Sequence, residues 1–542
     1  MSLPVFLIKQ KRAGTSPAPT IFVSKLMSKP APSNITLIRG LTLVAAASIV
    51  IGNVIGTGVF LKARVMTCNV GTPGMVIVVW IAAGILSLAG ALTYAELAAM
   101  MPRAGGEYVF VREAYGARWG FLYGWMQIFI AKTGSQASVA AAFAIFLNDI
   151  TGKALNAPFF SINIFGHQFD FGYLQLIALS LIALFTLINC ATAIVSGWIA
   201  TVLTGVKIAL VVGIGLGAFI LASGDWGHFG MANAGGLCEG VSPGAMVGMA
   251  GFSAAMLAAL WGYDGWNNIT LVAGEVKNPQ RNIPLALIGG TMLIIVLYVF
   301  VNIAYFYVLT PTEVASVPAG SSVAATVVAT FMSPFSQSLK SLIAGLIAAS
   351  LMASSLGTLH TSILTGARVP YAMSRDRLFI ERLSRLSPRT HVPVGALIFQ
   401  GIWAGILTLS GKFDTLTDYV IFGSWIFYGL TTASIFVFRR RMPNAERPYR
   451  AWGYPVVPVL FLLVTGWLLY TTLLPDTGRA MTEIGMLLRL KYPADGLKGI
   501  SPNALRGLGL IAIGLPVYWY LSRKNRVAFA ETPADENRSD EV

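Results

Sequence analysis

Long apolar segments recur along almost the whole chain, and they restrict its possible folds more than any other feature. Each segment has about the 20 apolar residues that a helix needs to cross a bilayer. Of the 542 residues, 55% are hydrophobic and only 11% are charged, whereas soluble domains are about 25% charged. Because the segments are too long and too uniformly apolar for barrel strands, we predict an all-α polytopic membrane protein.

The apolar segments predict twelve transmembrane helices. The third and eighth are longer than a bilayer requires, so we expect them to tilt or to extend beyond it. The predicted spans are 41–67, 74–101, 118–148, 172–193, 195–222, 245–274, 284–309, 338–373, 393–410, 415–438, 454–474 and 505–522.

The net charge of +15 follows the pattern of membrane orientation and not that of nucleic-acid binding. Lys and Arg cluster in short segments between the apolar runs, above all at 368–389 and 439–450. Placing both termini in the cytoplasm puts these clusters inside, as the positive-inside rule requires. The basic segment at about 475–504 is a local exception. We therefore predict a bacterial inner-membrane protein with both termini cytoplasmic and no nucleic-acid partner.

The first apolar segment is interrupted near its middle by IGNVIGTG at residues 51–58. Three glycines in eight residues weaken a helix, since each costs roughly 1 kcal/mol relative to alanine. The sixth segment is interrupted in a similar way by WGYDGW at residues 261–266, which places an aspartate at membrane depth. Non-helical backbone at this depth persists only where it is buried in protein or lines a cavity.

The two interruptions lie five segments apart, so they fall in halves of opposite membrane orientation. Broken helices at matching places in inverted halves mark the midplane binding site of secondary transporters. N–H groups near Thr57 and Gly58 would suit a carboxylate. Carbonyl groups near Gly52, Val54 and Trp261 would suit an ammonium group. A ligand with both charges side by side is an α-amino acid. The alternative is that these glycines only permit close helix packing.

At these residues the sequence resembles the amino acid–polyamine–organocation superfamily, and in particular the L-type amino acid transporters and their bacterial relatives. The resemblance also rests on YAELAAMMPRAGGEYVFVREAYG after the second segment, ARVPYAMSRDRLF at the end of the eighth and ERPYRAWGYPVVPVLF before the eleventh. It implies the LeuT-type fold, a five-plus-five inverted repeat in which helices 1 and 6 are broken and two further helices follow.

The implied fold divides the chain into five parts. These are a disordered cytoplasmic N-terminal tail at 1–40, a first inverted repeat at 41–222, a second inverted repeat at 245–438, a final helix pair at 454–522 with an outer loop at about 475–504, and a cytoplasmic C-terminal tail at 523–542.

The resemblance also implies binding residues. The family's carboxylate-binding Gly-Ser/Thr-Gly corresponds to residues 56–58, its aromatic gate to Trp261, and its asparagine after the Gly-Trp pair to Asn267. Trp261 stands where members often carry Phe, and Asn268 where some have Tyr. The predicted substrate-binding residues are Gly52, Val54, Ile55, Gly56, Thr57, Gly58, Trp261, Gly262, Tyr263, Asp264 and Asn267.

Lys207 lies in the apolar run TVLTGVKIALVV of the fifth segment. An ionisable residue at membrane depth is a candidate functional residue, because burying a charge there is costly. In sodium-independent relatives a lysine at the matching place occupies the region of a sodium site, and Ser354 and Ser355 are its expected neighbours here. We therefore predict a coupling or structural role for these three residues, without sodium. The sequence leaves open whether Lys207 carries a proton or remains a fixed cation.

Three further residues at membrane depth each have two interpretations. Asp264 either binds an amine or balances a lysine, or it caps the second half of the sixth helix. Lys132 either lines the cavity with Ser135 and Gln136 or extends to an interface. His360 either titrates near neutral pH or is packed and hydrogen-bonded, and we expect the latter.

Charged residues near the predicted inner face either form ion pairs that close an inner gate or are ordinary solvated loop charges. The acidic ones are Glu96, Glu107, Glu113 and Glu275, and the basic ones are Arg103, Arg112 and Arg281.

The three cysteines, Cys68, Cys190 and Cys238, are an odd number without zinc-like spacing, and no disulfide is required. We expect Cys190 to be a small core residue. Relatives that pair with a glycoprotein do so through a cysteine in the outer loop between the third and fourth spans. None of the cysteines lies at 149–171, so we expect no disulfide-linked accessory chain.

The sequence contains no metal-ligand cluster, phosphate-binding loop or nucleophile elbow, so we predict no enzyme activity, metal or cofactor. We predict a sodium-independent secondary transporter of L-amino acids, neutral ones favoured, that works by alternating access as a proton symporter or an exchanger. Its expected partners are the amino acid, protons and membrane lipids. The alternatives are a transporter of polyamines or other amines, and a transporter-like amino acid receptor.

Overall fold

The computed structural model describes residues 35–164, 167–241, 243, 246, 248–318, 321–332, 336–409, 413–488 and 503–530. Most of these residues are helical, and the prediction of an all-α membrane protein is confirmed. Within the described residues, six helical segments are long and apolar enough to cross a membrane: Leu43–Val70, Pro73–Met100, Ala117–Asn148, Ala193–Leu221, Pro279–Val308 and Ile347–Arg375. The count of twelve spans stays a prediction.

Nineteen α-helices follow one another through the described residues. They are α1 (Leu43–Val54), α2 (Gly58–Val70), α3 (Pro73–Met100), α4 (Glu107–Tyr115), α5 (Ala117–Met126), α6 (Lys132–Ile150), α7 (Tyr173–Asn189), α8 (Ala193–Leu221), α9 (Gly248–Tyr263), α10 (Pro279–Val308), α11 (Pro311–Ser316), α12 (Val323–Phe331), α13 (Gln337–Gly366), α14 (Arg368–Arg375), α15 (Val394–Leu409), α16 (Phe413–Arg441), α17 (Val456–Leu488), α18 (Asn503–Ala512) and α19 (Gly514–Ala530).

Shorter helical turns connect several of these helices. A π-helix at Gln127–Ala131 joins α5 to α6, and 3₁₀-helices lie at Trp226–Gly230, Trp266–Glu275 and Glu381–Ser384. Threonine side chains cap several helix starts: the hydroxyl of Thr42 accepts the N–H of Ala45 at the start of α1. Such caps satisfy N–H groups that have no acceptor within the helix.

Among the residues that the structure describes, one β-hairpin interrupts the succession of helices. Strand β1 (Pro158–Ile164) pairs antiparallel with β2 (His167–Gly172). The hairpin lies in the predicted outer loop between the third and fourth spans. The sequence analysis missed it because alternating aromatic residues in so short a loop give a weaker signal than the flanking apolar runs.

The eleventh predicted span extends further than its apolar stretch suggested. Helix α17 continues without interruption to Leu488, whereas the predicted span ends at 474 and is followed by a loop at about 475–504. Residues 475–488 of the predicted loop therefore belong to the end of α17. Residues 489–502 of the predicted loop lie outside the described residues.

A disulfide joins Cys68 near the end of α2 to Cys238, 170 residues further along the chain. The sequence analysis saw no need for a disulfide, because spacing alone does not show which cysteines meet in space. One helical turn earlier, the guanidinium of Arg64 donates to the Glu239 carbonyl at 2.7 Å. The connection before α9 is thus fastened to α2 at two adjacent points.

Helix packing places the two interrupted segments together. Helix α1 packs against α8, α10 and α13, whereas α2 packs against α9. The first residues before α1 also pair with the end of the sixth segment: the N–H of Leu41 donates to the Glu275 carbonyl at 2.9 Å. These contacts bring the ends of all four half-segments into one region.

Candidate functional site

The first interruption separates α1, which ends at Val54, from α2, which begins at Gly58. Between them the N–H of Gly56 donates to the Val54 carbonyl at 2.7 Å, so the chain turns sharply. Gly56 and Thr57 are half-buried, unlike their buried neighbours. The first N–H groups of α2 have no acceptor within their own helix. They provide hydrogen-bond donors and a positive helix end at a partly accessible point.

The second interruption separates α9, which ends at Tyr263, from the 3₁₀-helix Trp266–Glu275. Gly265 between them has φ +100°, a conformation that favours glycine. A Cβ there would also lie 3.0 Å from the Cβ of Asn53 at the end of α1. The break in the sixth segment is therefore fixed both by backbone conformation and by close contact with the first segment.

The two interrupted segments touch backbone to backbone. A Cβ added to Gly58 would lie 2.6 Å from the Cα of Gly262, closer than any side chain could fit. The hydroxyl of Tyr298 lies 2.9 Å from the carbonyl oxygens of both Val54 and Gly262 and bridges the two breaks. Glycine at position 58 is therefore a packing requirement between the two breaks.

Lys207 on α8 binds the end of the first half-helix. Its Nζ donates to the carbonyls of Gly52 and Ile55, both at 2.6 Å, and to the hydroxyl of Thr358 at 2.8 Å. The side chain is fully buried. Lys207 thus connects α1, α8 and α13 through three neutral oxygens.

The serines predicted beside Lys207 have different partners. The hydroxyl of Ser354 donates to the Ile55 carbonyl at 3.2 Å, whereas that of Ser355 donates within its own helix to Leu351. The sequence analysis missed Thr358, which contacts Lys207 directly. The signal was available, because Thr358 lies one helical turn after Ser354 on the same face of α13.

A second cluster of charged and polar groups surrounds Lys132 at the start of α6. Its Nζ donates to the amide oxygen of Asn268. Asp264 accepts the hydroxyl of Tyr428 at 2.7 Å. Lys132 and Asp264 line the same cavity and interact electrostatically. Ser135, which was predicted to accompany Lys132, also lines it.

Glu107, at the start of α4, extends this cluster. Its carboxylate accepts the amide N–H of Asn267 and, at 3.0 Å, the hydroxyl of Tyr94. Complete burial raises the pKa of Glu107 from 4.5 to about 7, because the charged form loses its hydration. Asn267, predicted to bind substrate, is therefore tied to a buried carboxyl group.

The other predicted site residues lie around the same breaks. Trp261 is half-buried, and its carbonyl accepts the N–H of Asp264 at 3.2 Å. The hydroxyl of Tyr263 donates to the Trp80 carbonyl at 3.1 Å. Gly265, and not Asp264, occupies the N-cap position of the second half of the sixth segment, without a side-chain cap bond. The capping interpretation of Asp264 is therefore wrong.

The remaining polar residues of the sequence analysis have packed surroundings. Gln136 is buried, and its side chain donates to the Ser362 hydroxyl at 3.5 Å. His360 is fully buried, with its two ring nitrogens 3.2 Å from the Asn189 amide and 2.8 Å from the Ser196 carbonyl. This is the packed, hydrogen-bonded histidine that was expected.

Ion pairs do form among the charges of the predicted inner face: Arg112 pairs with Glu113 as considered above, whereas Glu275 and Glu96 pair with arginines that were not considered. Arg368 binds Glu275 through two hydrogen bonds, at 2.7 and 2.8 Å, and both side chains are almost completely buried. Glu96 binds Arg439 at 2.6 Å and Arg447 at 3.4 Å. Sequence proximity suggested nearer arginines, whereas the structure brings arginines from distant segments. A further cluster joins Arg112 to Glu113 and Asp376.

Comparison with known proteins identifies the family of this chain. The family described as Amino acid permease matches residues 41–489. The b(0,+)-type amino acid transporter 1 of Oryctolagus cuniculus is 30% identical over 77% of this chain and 80% of its own length. The serine/threonine exchanger SteT of Bacillus subtilis (strain 168) is 31% identical over 80% of this chain and 91% of its own. The large neutral amino acids transporter small subunit 2 of Oryctolagus cuniculus is 28% identical over 81% and 76%.

These relatives are named as amino acid transporters or exchangers, and the family match extends from just before α1 to the end of α17. Apolar membrane-spanning helices and the interruptions in the first and sixth segments lie within the matched residues. The chain belongs to the amino acid permease family of the amino acid–polyamine–organocation superfamily.

Proposed function

We propose that this protein is a secondary active transporter that moves L-amino acids, neutral ones favoured, across the bacterial inner membrane by alternating access. The contact between the two helix breaks at Gly58 and Gly262 carries the proposal. A single ligand at this contact would touch both interrupted segments, so its binding and release would be coupled to their movement. In this proposal the helices form twelve spans of the LeuT-type fold.

The amino acid would bind by its backbone charges at the two breaks. Its carboxylate would accept hydrogen bonds from the N–H groups at Thr57 and Gly58, where α2 begins. The carbonyls of Gly52 and Val54 already bind Lys207 and Tyr298. We therefore assign the substrate ammonium to carbonyl groups of the 261–264 segment other than that of Gly262, which also binds Tyr298, with the half-buried Trp261 covering the ligand.

Sodium independence is supported by the partners of Lys207. Sodium needs several oxygen ligands in one place, and backbone carbonyls freed at a helix break supply them in such transporters. Here the ammonium of Lys207 lies 2.6 Å from two of these carbonyls, those of Gly52 and Ile55. A fixed positive charge takes the place that a sodium ion would need.

The proposed orientation places both termini in the cytoplasm. It puts the Cys68–Cys238 disulfide on the outer side, where disulfides form and persist. Because these cysteines pair with each other, the proposal includes no disulfide-linked accessory chain. Lys132 beside Asp264 supports an amino acid over a polyamine as substrate, since a nearby lysine opposes the binding of a polycation.

Uptake into proteoliposomes of the purified protein tests the proposal. A labelled amino-acid mixture is offered in sodium-free buffer to vesicles that are empty, preloaded with amino acids or acidified outside. Uptake stimulated by acid indicates proton symport, and uptake restricted to preloaded vesicles indicates exchange. A lack of uptake in every condition by protein that still binds amino acids contradicts transport and supports a receptor.

A further inference from the structure

A polar cavity adjoins the two helix breaks. Asn53 at the end of α1 and Gly265 at the second break form one side of it. Of its twelve lining residues, eight are neutral and polar, two are charged, and the remaining two are alanine and glycine. They are Asn53, Gln127, Ala131, Lys132, Ser135, Asp264, Gly265, Asn268, Thr358, Ser362, Ser424 and Tyr428.

The polar lining of the cavity disfavours the binding of a substrate with a large apolar side chain. Hydroxyl and amide groups lose hydrogen bonds to water when a hydrocarbon covers them, and each unpaired group costs about 1–3 kcal/mol. A ligand group that donates and accepts hydrogen bonds avoids this cost. The composition of the cavity therefore favours a hydroxyl or amide over leucine-like or aromatic groups.

Gln127 provides an unpaired acceptor in this cavity. Its side chain is 3% exposed, and in the described part of the chain no donor reaches its Oε1 atom. Buried polar atoms nearly always have a hydrogen-bond partner. An acceptor that is buried, unpaired and part of the cavity wall points to a ligand that donates an O–H or N–H group.

The two charges of the lining compensate each other. Lys132 and Asp264 carry one positive and one negative charge and interact electrostatically. Each is also held by a neutral group, Lys132 by Asn268 and Asp264 by Tyr428. A substrate side chain with a charge of its own would meet attraction from one of them and repulsion from the other.

The cavity adjoins the segment proposed to bind the substrate backbone. Thr358 lines the cavity, and its hydroxyl lies 3.5 Å from where a Cβ on Gly56 would be. Gly265 lines it too and packs against Asn53. A substrate held by its backbone at Gly56 and Thr57 can therefore place its side chain in this cavity.

We propose that this cavity is the side-chain subsite and selects amino acids with small, uncharged, hydrogen-bonding side chains, with Lys132 and Asp264 acting as paired specificity residues. The inference rests on the proposed transport function and names its substrate class. Removing Lys132 leaves Asp264 without its opposing charge, and removing Asp264 leaves Lys132 with Glu107 as the remaining acidic group that interacts with it. Lys132→Met then favours cationic amino acids, and Asp264→Asn favours anionic ones.

The test measures how well unlabelled amino acids inhibit uptake of labelled L-serine into sodium-free proteoliposomes preloaded with L-serine. For the wild-type protein we expect stronger inhibition by asparagine and threonine than by leucine, lysine or glutamate. Lys132→Met should raise the relative inhibition by lysine by roughly tenfold, as expected for one uncompensated, partly buried charge. Asp264→Asn should raise the relative inhibition by glutamate by a smaller factor, because Lys132 still interacts with Glu107. The double variant Lys132→Met/Asp264→Asn should return to the wild-type order.

Two controls separate selectivity from folding. Lys153→Met makes the same chemical change at an exposed lysine and should leave the order unchanged. For any variant without uptake, thermal shifts of the purified protein by the same amino acids report the same preferences. Inhibition by leucine equal to that by asparagine, or single variants whose preferences shift in the same direction, would overturn the inference while leaving transport intact. A wild-type protein that transports no amino acid would overturn the proposed function and the subsite with it.

Discussion

Two lysines lie on neighbouring sides of the helix breaks, Lys207 buried and Lys132 half-buried, and their surroundings differ. Lys207 binds three neutral oxygens, two of them backbone carbonyls of the first break. Lys132 binds one amide oxygen and interacts electrostatically with two acidic groups, the half-buried Asp264 and the buried Glu107. The partners of Lys207 are neutral carbonyl and hydroxyl groups, whereas Lys132 belongs to a cluster of ionisable side chains.

This difference explains why the two lysines should have separate roles. Backbone carbonyls cannot be exchanged by mutation or titrated, so Lys207 is suited to fix the geometry of α1 against α8 and α13. Carboxyl groups can change charge, and a ligand can compete for them. Lys132 is therefore suited to interact with substrate. Each prediction below tests this division, beginning with the largest expected effect.

Replacing Lys207 by Met should nearly abolish uptake. It removes three buried hydrogen bonds to a charged group, which contribute about 1.5–3 kcal/mol each. Lys207→Arg should fail as well, because the Cε atom lies only 2.7 Å from where a Cβ on Gly357 would be and the site leaves little room for a guanidinium. For both variants, proteoliposome uptake measures the loss of transport, and thermal denaturation in detergent measures the loss of stability. Wild-type uptake by Lys207→Met would refute the structural role.

A double-mutant cycle should distinguish the two lysines. Lys132→Met and Asp264→Asn should each destabilise the protein, and the double variant should cost less than their sum by about 1–3 kcal/mol, because the groups form one network. Lys207→Met combined with Asp264→Asn should be additive within about 0.5 kcal/mol. Free energies of unfolding in denaturant give both cycles. Equal interaction energies in the two cycles would show that Lys132 and Lys207 do not differ in their coupling to Asp264.

Gly357→Ala should reduce uptake by displacing Lys207. The added Cβ would lie 2.7 Å from the lysine Cε and 3.2 Å from Nζ, so the hydrogen bonds to α1 must lengthen. Gly205→Ala on α8 is the matched control, since nothing lies within 4 Å of a Cβ there. We expect about a tenfold loss for Gly357→Ala, equivalent to 1.4 kcal/mol, and little change for Gly205→Ala. Equal uptake by the two variants would argue against tight packing around Lys207.

The last prediction is a dependence of stability on pH near Lys132. Because burial raises the pKa of Glu107 from 4.5 to about 7, the folded protein binds more protons than the unfolded chain between these values. The free energy of unfolding should therefore fall as the pH rises through this interval. Glu107→Gln should remove this part of the slope, and Lys207→Met should retain it. Thermal denaturation over about pH 5–8 measures it, and an unchanged slope in Glu107→Gln would contradict it.

Local features of the sequence predicted the positions of the breaks and singled out Lys207, which the structure places against the first break. Glycine density predicted an interruption within residues 51–58, and α1 and α2 are separated there. An ionisable residue in an apolar run identified Lys207 because burial of charge is costly wherever it occurs. Glycine density and an ionisable residue in an apolar run can be recognised in a single sequence, because each depends on a few adjacent residues.

Pairings between distant segments could not be predicted. The partner of Glu275 is Arg368, 93 positions away, and that of Cys68 is Cys238. Neither follows from spacing, because helix packing decides which side chains meet. The cluster of Lys132, Asp264 and Asn268 was not assembled for the same reason: the sequence suggested a cavity role for Lys132 and that Asp264 could balance a lysine, without indicating that Lys132 is that lysine.

The central claim is that an amino acid binds where the two breaks touch and is transported without sodium. Uptake of labelled L-serine by the wild-type protein and Gly58→Ala, with and without sodium, tests it most directly. We predict equal wild-type uptake in both buffers and almost none for Gly58→Ala, since its Cβ would lie 2.6 Å from the Gly262 Cα. Uptake that requires sodium, or that survives Gly58→Ala, would contradict this account.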